Sequence, residues 1–121
     1  MEQYVKNEDG TVTDTKNNLT WSATLGEDLT FSEAESKVAE LGDGWRLPTA
    51  DELQLIVDRT KCRPAANTDI FPDTKNDWYW TSSKCAWDEA AARWVVNFYH
   101  GLVFVGHMYD YACVRAVRAS Q

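Results

Sequence analysis

The sequence predicts an α+β domain, with two helices packed on antiparallel sheets and one long loop. Three observations predict it. Two capping boxes, Thr30-Phe31-Ser32-Glu33 and Thr49-Ala50-Asp51-Glu52, each open an apolar stripe of helical period. Runs of β-prone residues fill the second half of the chain. A short hairpin precedes the first helix and is placed to rejoin the last strand. The 121 residues are enough for one domain, residues 1–121, and not for two.

The elements follow in order. Asp9-Gly10 is a turn signal. Thr11–Asp14 and Leu19–Ser22 then form the hairpin, turned at Lys16-Asn17-Asn18. In the first helix Phe31, Ala34, Val38 and Leu41 face the core, with Glu33, Glu35, Lys37 and Glu40 opposite. Gly42 ends it by taking a left-handed conformation. The connector Gly42–Thr49 has no room for regular structure. Trp45 and Leu47 read as core plugs, and Arg46 as a charge tied to scaffold carbonyls or a carboxylate. The second helix buries Leu53, Ile56 and Val57 and stops before Arg59-Thr60.

Residues 61–77 have no sustained period and read as a long loop, anchored by Ile70-Phe71. Loops of this length in a small domain are often functional. Strands are predicted at Trp78–Ser82, Trp94–Tyr99, Leu102–Gly106 and Tyr111–Arg118, the middle pair turned by His100-Gly101.

Six Trp, five Tyr and four Phe supply much of the core. No apolar run approaches the ~18 residues of a membrane span. Met1–Asp9 has neither a basic nor an apolar segment of a signal peptide, so a cytoplasmic location is expected if this is the natural start. Net charge is −7 and uneven. Residues 1–60 hold 13 acids and 5 bases, and residues 61–121 hold 6 acids and 7 bases. An acidic first half argues against direct nucleic-acid binding, which needs Lys and Arg. It serves solubility, or it meets a basic partner. Cys62, Cys85 and Cys113 make no CxxC. Free thiols are the default in a reducing compartment, and a Cys62–Cys85 bridge stays open.

Five motifs stand in order over nearly the whole chain: Asp9–Asp14 with Leu19-Thr20-Trp21; Gly44–Thr49 with Glu52-Leu53; Phe71-Pro72 with Tyr79–Ser83; Trp94–Phe98; and Val114–Arg118. Together they resemble the signatures of the Lcl C-terminal-domain family. The resemblance implies a C-type-lectin-like fold, found in secreted adhesive modules and in small stand-alone bacterial and phage proteins. It also implies a cysteine pair at positions that are here Val38 and Ala116. The loss of both fits a reducing compartment.

No chemistry stands out. Asp69, Asp73, Asn76 and Asp77 are oxygen donors on the long loop, but the lectin Glu-Pro-Asn or Gln-Pro-Asp tripeptide is missing. His100, His107 and Cys113 have no recognised ligand spacing. A formylglycine-type oxidase, an activity of related folds, needs paired cysteines, and Cys113 has no near partner in sequence. No catalytic residue, cofactor or metal is therefore assigned. The expected site is a protein-binding surface at the C-terminal hairpin, formed by Trp78, Trp87, Tyr99, His100, Leu102, Phe104, His107, Tyr109 and Tyr111. The expected role is a phage- or prophage-encoded cytoplasmic protein that docks on a host protein, such as a CRISPR effector. An extracellular or virion-borne module that binds glycan or a cell surface is the alternative.

Overall fold

The computed structural model describes residues 3–120. Seven strands and two helices follow the chain as β1 (Tyr4–Lys6), β2 (Val12–Asp14), β3 (Leu19–Leu29), α1 (Phe31–Ala39), α2 (Ala50–Gln54), β4 (Trp78–Lys84), β5 (Ala92–Asn97), β6 (Leu102–His107) and β7 (Ala112–Ala119). The strands form one seven-stranded sheet in the order β1-β2-β3-β7-β4-β5-β6. The early hairpin does rejoin the last strand, with Trp21 opposite Val117.

Several expectations need correction. Leu41, read as facing the core, is exposed just past the end of α1. The sheet is not antiparallel throughout: β4 and β7 run parallel, at Tyr79 and Cys113. The last strand returns from the hairpin in the same direction as β4, so their junction has no antiparallel option. β3 runs seven residues past Ser22, to Leu29. Its second half has irregular register against β7, which erases the alternation that marks a strand. α2 ends at Gln54, and Leu55–Val57 continue only as a turn. β1 was not foreseen, because three residues carry too little pattern.

Both capping boxes form. The Thr30 amide donates to Glu33 Oε1 at 2.9 Å, and the Thr49 amide to Glu52 Oε1 at 2.9 Å. Gly42 has φ +61°, the left-handed stop the first helix needs. The core has two parts. Trp21, Leu53, Phe71, Tyr79, Val96 and Phe98 belong to one. Phe31, Val38, Leu47, Trp80, Val95 and Ala116 belong to the other. Val38 and Ala116 thus lie in a single apolar cluster that holds by packing. All three cysteines are free, with Cys62 exposed and Cys85 and Cys113 buried.

The connector is pinned by backbone as well as side chains. Arg46 N–H donates to the Val117 carbonyl and Val117 N–H to the Arg46 carbonyl, both at 2.9 Å. Arg46 also grips Glu52 through both carboxylate oxygens at 2.7 and 2.8 Å. That ion pair, chiefly, holds the Glu52 carboxyl below its usual range. Leu47 is buried, as expected of a plug. Trp45 is only half-buried and carries Arg118 over its ring at 4.9 Å. Trp45→Ala is therefore expected to cost about 1–2 kcal/mol by urea denaturation, well below a full core truncation.

Asp14 is the buried acid of the first hairpin. Burial opposes its charge. Hydrogen bonds from the Asn17 and Gln3 side chains and the Asn17 and Lys16 amides outweigh that, and the carboxyl is held below the ordinary value. A depressed folded pKa gives stability that is present above the unfolded value of about 3.9 and lost as pH falls through the folded one. Urea midpoints are expected to drop below about pH 4, and Asp14→Asn should flatten that drop while lowering stability at neutral pH.

Candidate functional site

The last hairpin, β5 and β6, lies at one end of the sheet and pairs in unbroken register from Ala92–His107 to Asn97–Leu102. It turns at Gly101, where φ is +83° and an added Cβ would stand 2.7 Å from Val57 Cγ1. Only glycine meets both conditions. The Arg59 guanidinium donates to the Gly101 carbonyl at 3.1 Å and fixes the turn against the body.

The nine expected residues do not converge on one spot. Trp78 and Phe104 stack at 6.1 Å with 23° between their planes, and Leu102, two residues before Phe104 on β6, shares that face. Trp87, 72% exposed, packs edge-on against Trp94 at 5.7 Å. Trp94 pairs with Val105, the position that alternates away from Phe104, so this pair borders the opposite face. Tyr99 and His100 meet at the turn, with Arg63 over the Tyr99 ring at 5.2 Å. His107 and Tyr109 stack at 5.3 Å at the far end of β6, and Tyr109 is 80% exposed. Tyr111 is exposed just before β7. The result is an aromatic border on both faces and both ends of the edge hairpin.

One sequence signal marks this border. Residues 94–109 contain no Asp, Glu, Lys or Arg, in a chain that is 26% charged. The acidic residues lie elsewhere. Glu33 and Glu35 are exposed on α1, Glu40 and Asp43 just past its end, and Asp51 on α2. A groove of about 590 Å³ runs between α1 and the connector, floored by Val38, Ala39 and Leu47 and edged by Glu35 and Arg46. The sequence reads the connector as structural, and the fold adds this groove beside it.

The long loop is less free than its composition implied. Ala65 N–H donates to the Phe98 carbonyl at 2.6 Å and Arg63 N–H to the Tyr99 carbonyl at 2.9 Å. Phe71 is buried and Ile70 partly so. Asp73, a candidate calcium ligand, is engaged by the scaffold. Its Oδ1 accepts from Arg115 at 3.2 Å, and its Oδ2 accepts from the Thr24 amide. Asp77 accepts from the Trp78 amide at 2.7 Å. The Asp69 carbonyl takes the Lys6 ammonium at 3.0 Å. Asn76 is exposed.

His100 and His107 bracket β6, roughly 20 Å apart by strand rise. Cys113 is buried in β7. Among the described residues no three His, Cys, Asp or Glu side chains converge. Burial first, then Asp77, Glu27 and Asp28, push the Cys113 thiol up to about 12. It stays protonated at neutral pH and is a poor nucleophile.

Fold and surface together define a small α+β domain that displays aromatic side chains at the edge of one sheet. The family model of the Lcl C-terminal domain matches residues 10–118, and the chain belongs to that family. No curated protein matches it in sequence. No helix of the described residues is long and apolar enough to cross a membrane.

Proposed function

We propose that this protein is a non-enzymatic binding module that docks on another protein through its edge hairpin. One observation carries the reading: the uncharged run 94–109 holds exposed Tyr99, Leu102, Phe104 and Tyr109, with Trp78, Trp87 and Tyr111 around it. Interface cores are depleted in charge and enriched in aromatics and Met. The turn and register of the hairpin hold these side chains in place, so little order is lost on docking. A C-type-lectin-like fold, which the family implies, would make this hairpin the natural place for ligand contacts.

The finer reading is a phage- or prophage-encoded cytoplasmic inhibitor of a host defence complex such as a CRISPR effector. The exposed acids of α1 support it, since they suit a basic channel that otherwise holds nucleic acid. The apolar Val38–Ala116 site, where a cysteine pair is common in the family, supports a reducing compartment.

The test is quantitative affinity purification from host lysate with the native protein and a Leu102→Ser/Phe104→Ser variant. A specific partner is expected to fall at least about tenfold with the variant, a loss of about 1.4 kcal/mol. Equal recovery of every protein would overturn the reading. Loss on reversing Glu33, Glu35 and Glu40 to Lys, with none in the hairpin variant, would move the site to α1.

A further inference from the structure

A separate cavity of about 250 Å³ lies toward the other end of the sheet from the last hairpin, between β2, the start of β3 and the long loop. Its apolar walls come from Val12, Ile70, Phe71 and Pro72. Its ionisable groups are two cations, Lys6 and Arg115, and one acid, Asp73, a balance of +1 in a chain of −7.

Arg115 lines this cavity although its side chain is 2% exposed. Its Nη2 is spent on Thr24 Oγ1, Asp73 Oδ1 and Thr74 Oγ1, at 3.2, 3.2 and 3.1 Å. Nε and Nη1 donate to no acceptor among the described residues. Among those residues the Trp21 indole nitrogen is the one fully enclosed side-chain donor without a partner. Nε and Nη1 are therefore not sealed by packing, and the surface they keep opens on the cavity. A guanidinium N–H held away from bulk water gains from an acceptor. Asp73 is already engaged, with Oδ1 on Nη2 and Oδ2 on the Thr24 amide. Lys6 is exposed at the rim, bonds the Asp69 carbonyl and makes no ion pair among the described residues. Asp9, just outside, turns its carboxylate on the Thr11 amide and hydroxyl, at 3.0 and 2.6 Å.

We infer that this cavity binds a small carboxylate with an apolar body. The carboxylate takes the idle N–H groups of Arg115, and Lys6 adds charge from the rim. The body lies against Ile70, Phe71 and Pro72. A buried charge must be paired, and one spare positive charge matches one negative charge rather than the two of phosphate. The space suits roughly eight non-hydrogen atoms, at the ~30 Å³ each that water takes in the liquid. The cavity and the docking hairpin lie at different ends of the sheet, so either role can fail without the other.

A titration of the ¹⁵N-labelled native chain with sodium benzoate, followed by NMR at constant ionic strength, tests it. Saturable shifts are expected at the amides of Ala23, Ile70 and Phe71 and at the Arg115 Nε–H, with a Kd of about 1 mM or tighter. Benzyl alcohol, which keeps the ring and lacks the charge, should not saturate these signals. Lys6→Gln, at an exposed position, should weaken benzoate about threefold, and Asp9→Asn should strengthen it by a smaller factor. Leu102→Ser/Phe104→Ser should leave benzoate binding unchanged. No saturation by about 20 mM benzoate would overturn the inference. So would saturable shifts confined to residues outside the cavity, or an equal response to benzyl alcohol. Inorganic phosphate binding as tightly as benzoate would overturn the choice of a carboxylate with an apolar body.

Discussion

Arg115→Met is expected to lower the unfolding free energy by about 3–5 kcal/mol. The Arg115 side chain is 2% exposed. One terminal nitrogen donates to Asp73 Oδ1, Thr74 Oγ1 and Thr24 Oγ1, at 3.2, 3.1 and 3.2 Å. The guanidinium also stands over the rings of Phe71 and Tyr79, at 5.1 and 5.9 Å. It therefore joins β7, β3 and the long loop in one buried polar cluster. The Tyr79 hydroxyl, 2.8 Å from Thr24 Oγ1, extends that cluster into β4. Methionine keeps the apolar stem and removes only the charge and its donors. Asp73 and Thr24 would lose their shared partner, and amide exchange around residues 71–75 should accelerate. Asp73→Asn should cost less, because the Asp73 side chain is about a third exposed and water can replace part of the contact. A loss below about 1 kcal/mol for Arg115→Met would mean that water already does this work.

Trp80→Ala is expected to cost about 3–5 kcal/mol, through the lost ring and the cavity left behind. Trp80 is fully buried, lies edge-on to Phe31 at 5.5 Å, and donates its indole N–H to the Leu29 carbonyl at 2.8 Å. That bond fixes the irregular end of β3 against β4. Trp21 is equally buried, but its indole nitrogen has no partner among the described residues. Phenylalanine variants separate the two effects. Both lose similar volume, and only Trp80→Phe strands a carbonyl. Trp80→Phe should therefore cost about 1–2 kcal/mol more than Trp21→Phe in urea denaturation. The opposite order would show that packing, not the hydrogen bond, sets the difference.

Much of the scaffold was legible because its signals are local. Thr30 with Glu33 and Thr49 with Glu52 mark helix starts, since each box satisfies amides within one turn. His100-Gly101 between two β-branched and aromatic runs marks the last hairpin. β3 beyond Ser22 was not legible, because Ala23–Asp28 lose alternation where the register slips. The parallel junction of β4 with β7 was not legible either. It depends on the path of the whole chain between them.

The residue types around the edge hairpin were legible and their arrangement was not. Trp78, Trp87, Leu102, Phe104 and Tyr109 lie around that hairpin without sharing one spot. Strand alternation divides them between two faces, and no spacing argument placed Trp87 against Trp94. Asp73 looked like a loop acid because nothing nearby in sequence claims it. Its partner, Arg115, lies 42 positions away.

The sequence alone determined the family, the two capped helices, the last hairpin and the uneven charge. Each rests on contacts between near neighbours or on simple counts. The tertiary structure alone decided which strands lie at the edges, which acids are already paired, and which aromatics share a face. Those depend on contacts between residues far apart in the chain, which only the folded path brings together.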